Sequence, residues 1–311
     1  MSLPAIDCVR RGLLNLRANW ELAVAHLVGG FLVAAITILG LLPPVAVVGF
    51  SLVRSFANPK NALAAADEAA TKIGGVLVPF ILAVLAMLVI WSAAFLLYCY
   101  VQAGSFGVLV AGDRQAPAGE QRDFRLFRTF SWPDFFGWGR RYMWRFFWFL
   151  NLYMALLTAV VGGFILLVAL AIAGGPYWGA PAALGIGCGG MLPLLFLVVV
   201  VVLWAQLAQV DLVEDGTGTV LAMRRGVQVL GRRLGGVLLL FLIMLASSMA
   251  IGMVVAPFSV GFALIDNLAL EVVARLLLTA LEWSAGAVIG IGFAAALVAL
   301  VRAEPRPGIA A

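Results

Sequence analysis

The chain reads as an all-α integral membrane protein whose six transmembrane helices form three hairpins, each preceded by a basic amphipathic interfacial helix. Three observations predict this class. First, 64% of the 311 residues are hydrophobic and 11% are charged, with a mean hydropathy of +1.10, whereas a soluble domain carries roughly a quarter charged residues. Second, apolar stretches recur at lengths that cover the roughly 20 residues a helix needs to cross the hydrocarbon. Third, the basic residues, eighteen Arg and two Lys, gather in alternate connections between those stretches. The net charge of +5 therefore reads as a positive-inside signature and not as a nucleic-acid footprint.

The first element is a helix over residues 5–20. Ile6, Val9, Leu13, Leu16 and Trp20 share one face, while Asp7, Arg10, Arg11, Asn15 and Asn19 take the other. That is the pattern of a helix lying on a membrane with its polar face in water. Residues 22–53 carry no charge. Pro43-Pro44 interrupts them, which places the first crossing at 22–42 and a bent or surface extension beyond it. The apolar run is too long for a leader, so no cleavable signal is expected. Residues 54–75 are polar and Ala-rich, with a short surface helix near 62–71. In the next apolar run the second crossing falls at 76–101. Gln102-Ala103-Gly104-Ser105-Phe106-Gly107 is expected to bend or project into the cytoplasm.

The segment 112–149 holds seven of the twenty basic residues, Arg114, Arg122, Arg125, Arg128, Arg140, Arg141 and Arg145. Aromatics are threaded between them, Trp132, Trp138 and Trp144 foremost. Guanidinium groups meet phosphate while indole rings sit at headgroup depth, so this stretch belongs at a lipid–water boundary. The third crossing is 146–173, followed by a turn of breakers at 174–181. The fourth crossing is 184–206, and an acidic turn is expected at 211–218. Residues 219–234 form another basic amphipathic helix, with Val220, Met223, Val227, Leu230 and Leu234 opposite Arg224, Arg225, Gln228 and Arg232. Arg233 follows directly. The fifth crossing, 236–256, is closed by Pro257, and the sixth ends near 301. Residues 258–281 leave three options open: re-entrant, surface-lying, or the start of the last helix.

Sixteen of the twenty basic residues fall in the N-terminal segment, the 112–145 and 211–235 connections and the tail. Both termini are thus expected inside. The whole chain, 1–311, is read as one membrane domain with pseudo-repeats at 1–112, 113–210 and 211–311. The repeat rests on Val9-Arg10-Arg11-Gly12-Leu13, Met223-Arg224-Arg225-Gly226-Val227 and Gly139-Arg140-Arg141-Tyr142 at matching places.

Residues that could carry chemistry are few. The three cysteines, Cys8, Cys99 and Cys188, have neither disulfide nor metal spacing. The single histidine, His26, reads as a neutral ring hydrogen-bonded to a neighbouring helix. Ser105 in Gly104-Ser105-Phe106-Gly107 faintly resembles an intramembrane protease site, but no histidine follows in a later span to serve as base. Asp211, Glu214 and Asp215 are expected to balance the arginines that follow. Asn267, Glu271, Arg275 and Glu282 share one helical face as a polar seam, either lining a cavity or, as preferred here, facing water on an outer-surface helix. Gly286 and Gly290 form a GxxxG pair that suggests close helix packing. No catalytic residue, metal site or cofactor is expected.

Four stretches together carry a resemblance: Arg-Gly-Leu-Leu-Asn-Leu-Arg-Ala-Asn-Trp (11–20), Tyr-Val-Gln-Ala-Gly (100–104), Trp-Gly-Arg-Arg-Tyr-Met-Trp-Arg-Phe-Phe (138–147) and Asp-Leu-Val-Glu-Asp-Gly (211–216). The layout resembles poorly characterised bacterial six-span membrane proteins, akin to the membrane domain fused to some glycerophosphodiester phosphodiesterases but without the catalytic domain. The resemblance implies the six-span fold and carries over no functional residue.

These readings predict a non-enzymatic, multi-pass protein of the bacterial cytoplasmic membrane. Its working surface would be an arginine–aromatic belt of Arg122, Arg125, Arg128, Trp132, Arg140, Arg141, Trp138, Trp144, Arg145, Arg224, Arg225, Arg232 and Arg233. Its partners would be anionic lipid headgroups, with a protein partner or a second copy as candidates and no nucleic acid. The alternative is a permease subunit resembling ABC-2-type exporters, with an ATPase in trans and the 267–282 seam near an outer exit. A lipid-modifying enzyme would have only Glu21 with His26, or Asp211 with Glu214, to work with.

Overall fold

The computed structural model describes residues 4–56, 65–117, 120–214, 216–262 and 267–303. The described chain is helical throughout: α1 (Ala5–Ala18), α2 (Glu21–Phe56), α3 (Ala65–Gln115), a 3-10 turn (Phe124–Phe127), α4 (Trp132–Trp178), α5 (Ala180–Glu214), α6 (Thr219–Phe262) and α7 (Leu268–Arg302). Six of the seven α-helices, α2 to α7, are long and apolar enough to cross a membrane. The protein is a multi-pass integral membrane protein.

The helices outrun their expected ends because the bilayer punishes a broken backbone. In hydrocarbon an unpaired amide has no water to turn to, so continuing past a proline costs less than stopping. Accordingly α2 runs through Pro43-Pro44 to Phe56, and α3, α5 and α6 pass Pro79, Pro193 and Pro257. Gln102 to Gly107 stays helical, because α3 continues unbroken to Gln115. The breaker run at 174–181 shrinks to a single residue, Gly179, whose φ of +81° suits glycine between α4 and α5. The acidic turn shrinks likewise, because Asp211 and Glu214 are the last turn of α5. The open question at 258–281 resolves too: α6 ends at Phe262 and the last helix begins at Leu268. The surface helix expected near 62–71 falls partly outside the described residues.

The basic segments attach to their spans differently. Asn19-Trp20 separates α1 from α2. Arg233, at φ −123° and ψ 21°, kinks α6 where the basic segment meets the span. No such break divides α4, which begins at Trp132 and carries its arginines in its own first turns. A Ser131–Asp134 capping pair fixes that start: Ser131 Oγ donates to Asp134 Oδ2 at 2.6 Å and accepts from the Asp134 amide at 3.2 Å.

The chain divides into two compact units, one of residues 28–98 and one of 1–27 with 99–311. In the smaller unit the Trp91 indole donates to the Thr37 carbonyl at 3.1 Å and fills the space that Gly40 leaves. In the larger unit α1 packs on the second half of α7, where Ile291 and Ala294 to Val301 are buried. Gly12 makes that approach possible, since a Cβ there would lie 2.5 Å from the Ala296 amide nitrogen.

Candidate functional site

The arginines of the larger unit sort into two sets, one turned inward to hold helix ends together and one turned outward. Arg11 leads the first set. Its Nε donates to Asp113 Oδ1 at 2.6 Å, and its two Nη atoms donate to the carbonyls of Asp113, Ala116, Pro117 and Glu120 at 2.9–3.3 Å. A helix end leaves carbonyls without partners and carries partial negative charge. One guanidinium thus caps the end of α3 and neutralises its last carboxylate.

Asp113 also accepts from Arg302 Nη1 at 2.5 Å, and Arg302 Nε lies 3.3 Å from Glu214 Oε1. Arg114 sits 3.4 Å from the same oxygen and donates to the Glu214 carbonyl. The ends of α3, α5 and α7 are therefore joined by one ion-pair network with α1 across it.

Below this network Asn15 of α1 and Asn19, which caps its end, do the work of a buried strap. Asn19 Oδ1 accepts from the amides of Thr129 and Phe130 at 3.0 and 2.8 Å, while its Nδ2 donates to Asn15 Oδ1 and to the Phe127 carbonyl, both at 2.8 Å. Asn15 donates to the Leu109 carbonyl at 2.9 Å. Arg128 completes the tie, gripping both carboxylate oxygens of Glu21 at 2.5 and 2.7 Å and the Ala18 carbonyl at 2.5 Å.

The polar face expected in water is divided, for Arg10 stays exposed while three of its neighbours on that face do not. Arg11, Asn15 and Asn19 are all buried, whereas Ile6, Leu13 and Trp20 are exposed. Leu16 of the apolar face is buried as well, so each face of the helix is partly buried and partly exposed.

The outward set centres on α4. Trp132, Phe136, Arg140, Trp144 and Trp148 recur every fourth residue, and all five are exposed, the tryptophans by 47–62%. On the opposite side Phe135, Tyr142, Phe146 and Phe149 are buried. Gly104 and Gly107 of α3 form their floor, for a Cβ at Gly107 would meet Trp138 at 2.4 Å. Trp138 is consequently half-buried, stacked on Tyr142 at 5.6 Å. It braces the helix and does not point outward. Arg141 is exposed, lying over the Tyr142 ring at 5.5 Å.

Arg145 is half-buried, its guanidinium 5.2 Å from the centre of the same Tyr142 ring and beside Gly216. Arg122, Arg125, Arg224 and Arg232 are exposed, and Arg225 and Arg233 are half-buried. Of the belt expected from sequence, Arg128 and Trp138 are thus structural ties. Val220, Val227 and Leu234 of α6 lie exposed near Arg224 and Arg232 in sequence, while Leu230 is buried.

Three further expectations change. Asn267 is the cap of α7, its Oδ1 accepting from the amides of Ala269 and Leu270 at 3.0 and 3.2 Å. Glu271 and Arg275 pair at 2.8 Å, with Arg275 and Glu282 exposed. The seam is the first turns of a continuous helix and not a separate surface helix. Ser105, expected to lack a histidine, lies 3.1 Å from His26 Nδ1, supplied by an earlier span and not a later one. Glu21, by contrast, binds Arg128. Gly286 and Gly290 do not mark a close helix contact either, because a Cβ at each would meet nothing within 4 Å.

Among the groups outside the spans, burial pushes the Cys8 thiol up to about 11. The amides of Arg122 and Asp123 hold the Glu120 carboxyl below its usual range. No family model, no curated protein and no solved structure matches the chain.

Proposed function

We propose that the protein is a non-enzymatic organiser of the bacterial cytoplasmic membrane, gripping anionic lipid headgroups with the outward arginines at its cytoplasmic end. The observation that carries this reading is the exposed stripe Trp132, Phe136, Arg140, Trp144 and Trp148 on α4. A soluble partner-free surface would not leave four large aromatic side chains bare on one helix face. An interface between acyl chains and headgroups accepts them, and the guanidinium among them reaches phosphate. Arg141, Arg125 and Arg224 add exposed positive charge, each worth about 1 kcal/mol beside an anionic surface.

The ion-pair network supports the reading from behind. It consumes Arg11, Arg114 and Arg302 in holding helix ends, so the outward set is presented from a braced platform. The resemblance to six-span membrane domains agrees with this role, and the permease alternative gains nothing from a seam built of a helix cap and an exposed pair.

The test is lipid analysis of protein extracted in native lipid particles. Wild type is expected to retain anionic phospholipid above the bulk proportion. The double variant Arg140→Gln with Arg141→Gln should lose most of that enrichment, and unchanged enrichment would refute the reading.

A further inference from the structure

A cavity of about 150 Å³ opens in the larger unit, lined by His26, Gln102, Ser105 and Gln206 and by the small residues Gly286 and Gly290. We propose that it binds the uncharged, hydroxyl-bearing headgroup of a neutral lipid, of the diacylglycerol type. This goes beyond the belt, which binds charge at the surface.

Position comes first. Ser105 stands eight residues before Asp113 and Gln206 eight before Glu214, which at the helical rise puts them about 12 Å from the ion-pair network. If that network marks headgroup depth, the cavity lies within the hydrocarbon. Four hydrogen-bonding side chains at such depth are costly unless they have partners.

Their arrangement is built for a guest. Thr37, Ser92, Ser247 and Ser284 each donate to the carbonyl four residues back in their own helix. Ser105 instead meets His26 at 3.1 Å, and Gln102 bonds the same imidazole. The polar groups therefore converge from α2, α3 and α5 on one space. Gly286 and Gly290 keep α7 from filling it and are themselves exposed, which leaves a way in from the side.

The lining selects the chemistry. Among the described residues it holds no Asp, Glu, Lys or Arg, so a phosphate or a cation would be buried without a counter-charge. Two amides, a hydroxyl and an imidazole offer donors and acceptors together. A hydroxyl beside an ester carbonyl uses both kinds, whereas a ligand with acceptors alone leaves the amide carbonyls unmet. An engineered cavity of roughly this volume holds benzene, a guest of about six heavy atoms, and a glycerol unit has that size. The attached chains would remain in lipid.

The experiment uses the whole chain in phosphatidylcholine nanodiscs with 1,2-dioctanoylglycerol as the probe, read by native mass spectrometry. One bound probe per wild-type chain is expected. Gly290→Leu should cut occupancy at least tenfold, since the added side chain enters open space and fills the cavity. Gln206→Leu should cut it at least threefold, and it tests the proposal again without added bulk. The Arg140→Gln/Arg141→Gln variant should bind the probe as wild type does, which separates this site from the belt. Equal occupancy in Gly290→Leu and wild type would overturn the proposal. So would displacement of the probe by equimolar decylubiquinone or dioctanoyl phosphatidylglycerol, or a wild-type chain that takes up no probe.

Discussion

Arg11 Nε and Asp113 Oδ1 are 2.6 Å apart, and both side chains are more than nine-tenths buried. Arginine here joins the first helix of the chain to a helix end 102 residues away, and all five of its N–H groups find oxygen. A buried pair of this kind is stabilising only while complete, because the survivor of a deletion is a charge without water.

Asp113→Ala should therefore destabilise the protein by about 3–5 kcal/mol, since it removes the carboxylate that Arg11 and Arg302 share. Glu271→Ala, which removes an exposed i,i+4 pair, should cost about 0.5 kcal/mol or less. Denaturant unfolding in detergent compares them directly. Arg11→Lys is expected to resemble the deletion more than wild type, because an ammonium has three donors where five are used. Equal effects for Asp113→Ala and Glu271→Ala would show that the network holds nothing together.

Glycine tests the α1–α7 crossing. Gly12→Ala puts a methyl 2.5 Å from the Ala296 backbone nitrogen, and backbone cannot swing aside as a side chain can. Overpacking of that order costs about 1–3 kcal/mol. Gly30→Ala, where nothing lies within 4 Å, should be neutral or stabilising by up to about 1 kcal/mol. A thermal-shift comparison of the two in one detergent decides it, and a neutral Gly12→Ala would mean the helices are not in contact there.

The six spans were legible because hydrocarbon demands long apolar runs, a property of composition alone. Helix ends were not, because the usual stop signals lose force where no water can take over the backbone bonds. Pro43-Pro44 and the 174–181 run misled for that reason. The kink at Arg233 was legible as a change from amphipathic to wholly apolar periodicity. The orientation of α1 was not, since spacing shows that a helix has two faces without saying which one meets protein. Asn15 and Asn19 were the missed clue, for neutral amides four residues apart suit buried carbonyls and amides better than water. Ser105 and His26 stand 79 residues apart, and no local pattern joins them.

Cys8 is buried in α1, and its thiol is pushed up to about 11 by that burial. The thiolate is the reactive form, so at pH 8 the folded protein should alkylate at Cys8 far more slowly than the denatured chain. The sign for stability follows. The unfolded thiol ionises near its ordinary value of 9.0 and the folded one higher, so this residue's contribution is constant below that pH and declines as pH rises toward 11. Peptide mapping after a short iodoacetamide pulse reads the first expectation, and equal labelling in the folded and denatured protein would contradict the buried placement.

Ser105 and His26 meet the distance for a nucleophile and its base, yet the pair should not react as one. Ser105 lies within α3, where the neighbouring amides are committed to helical bonds and cannot cradle an oxyanion. A fluorophosphonate probe is expected to leave Ser105 unmodified in intact membranes. Labelling that disappears in both Ser105→Ala and His26→Ala would make the protein a hydrolase and end the non-enzymatic reading.

Sidedness is the last prediction, and it can be tested with two cysteines. The ion pairs gather the ends of α3, α5 and α7 beside α1, and the Glu21–Arg128 pair adds the start of α2. Ends gathered in this way share one side, and most of the arginines lie there. Basic loops are retained on the cytoplasmic side during insertion. In a chain whose native cysteines are replaced, Gly218→Cys, exposed just before α6, should react with a membrane-impermeant maleimide only after the cells are opened. Tyr177→Cys, 86% exposed in the native residue at the far end of α4, should react in intact cells. The reverse pattern would put the exposed Trp–Arg stripe of α4 against the outer leaflet and remove the cytoplasmic lipid role with it.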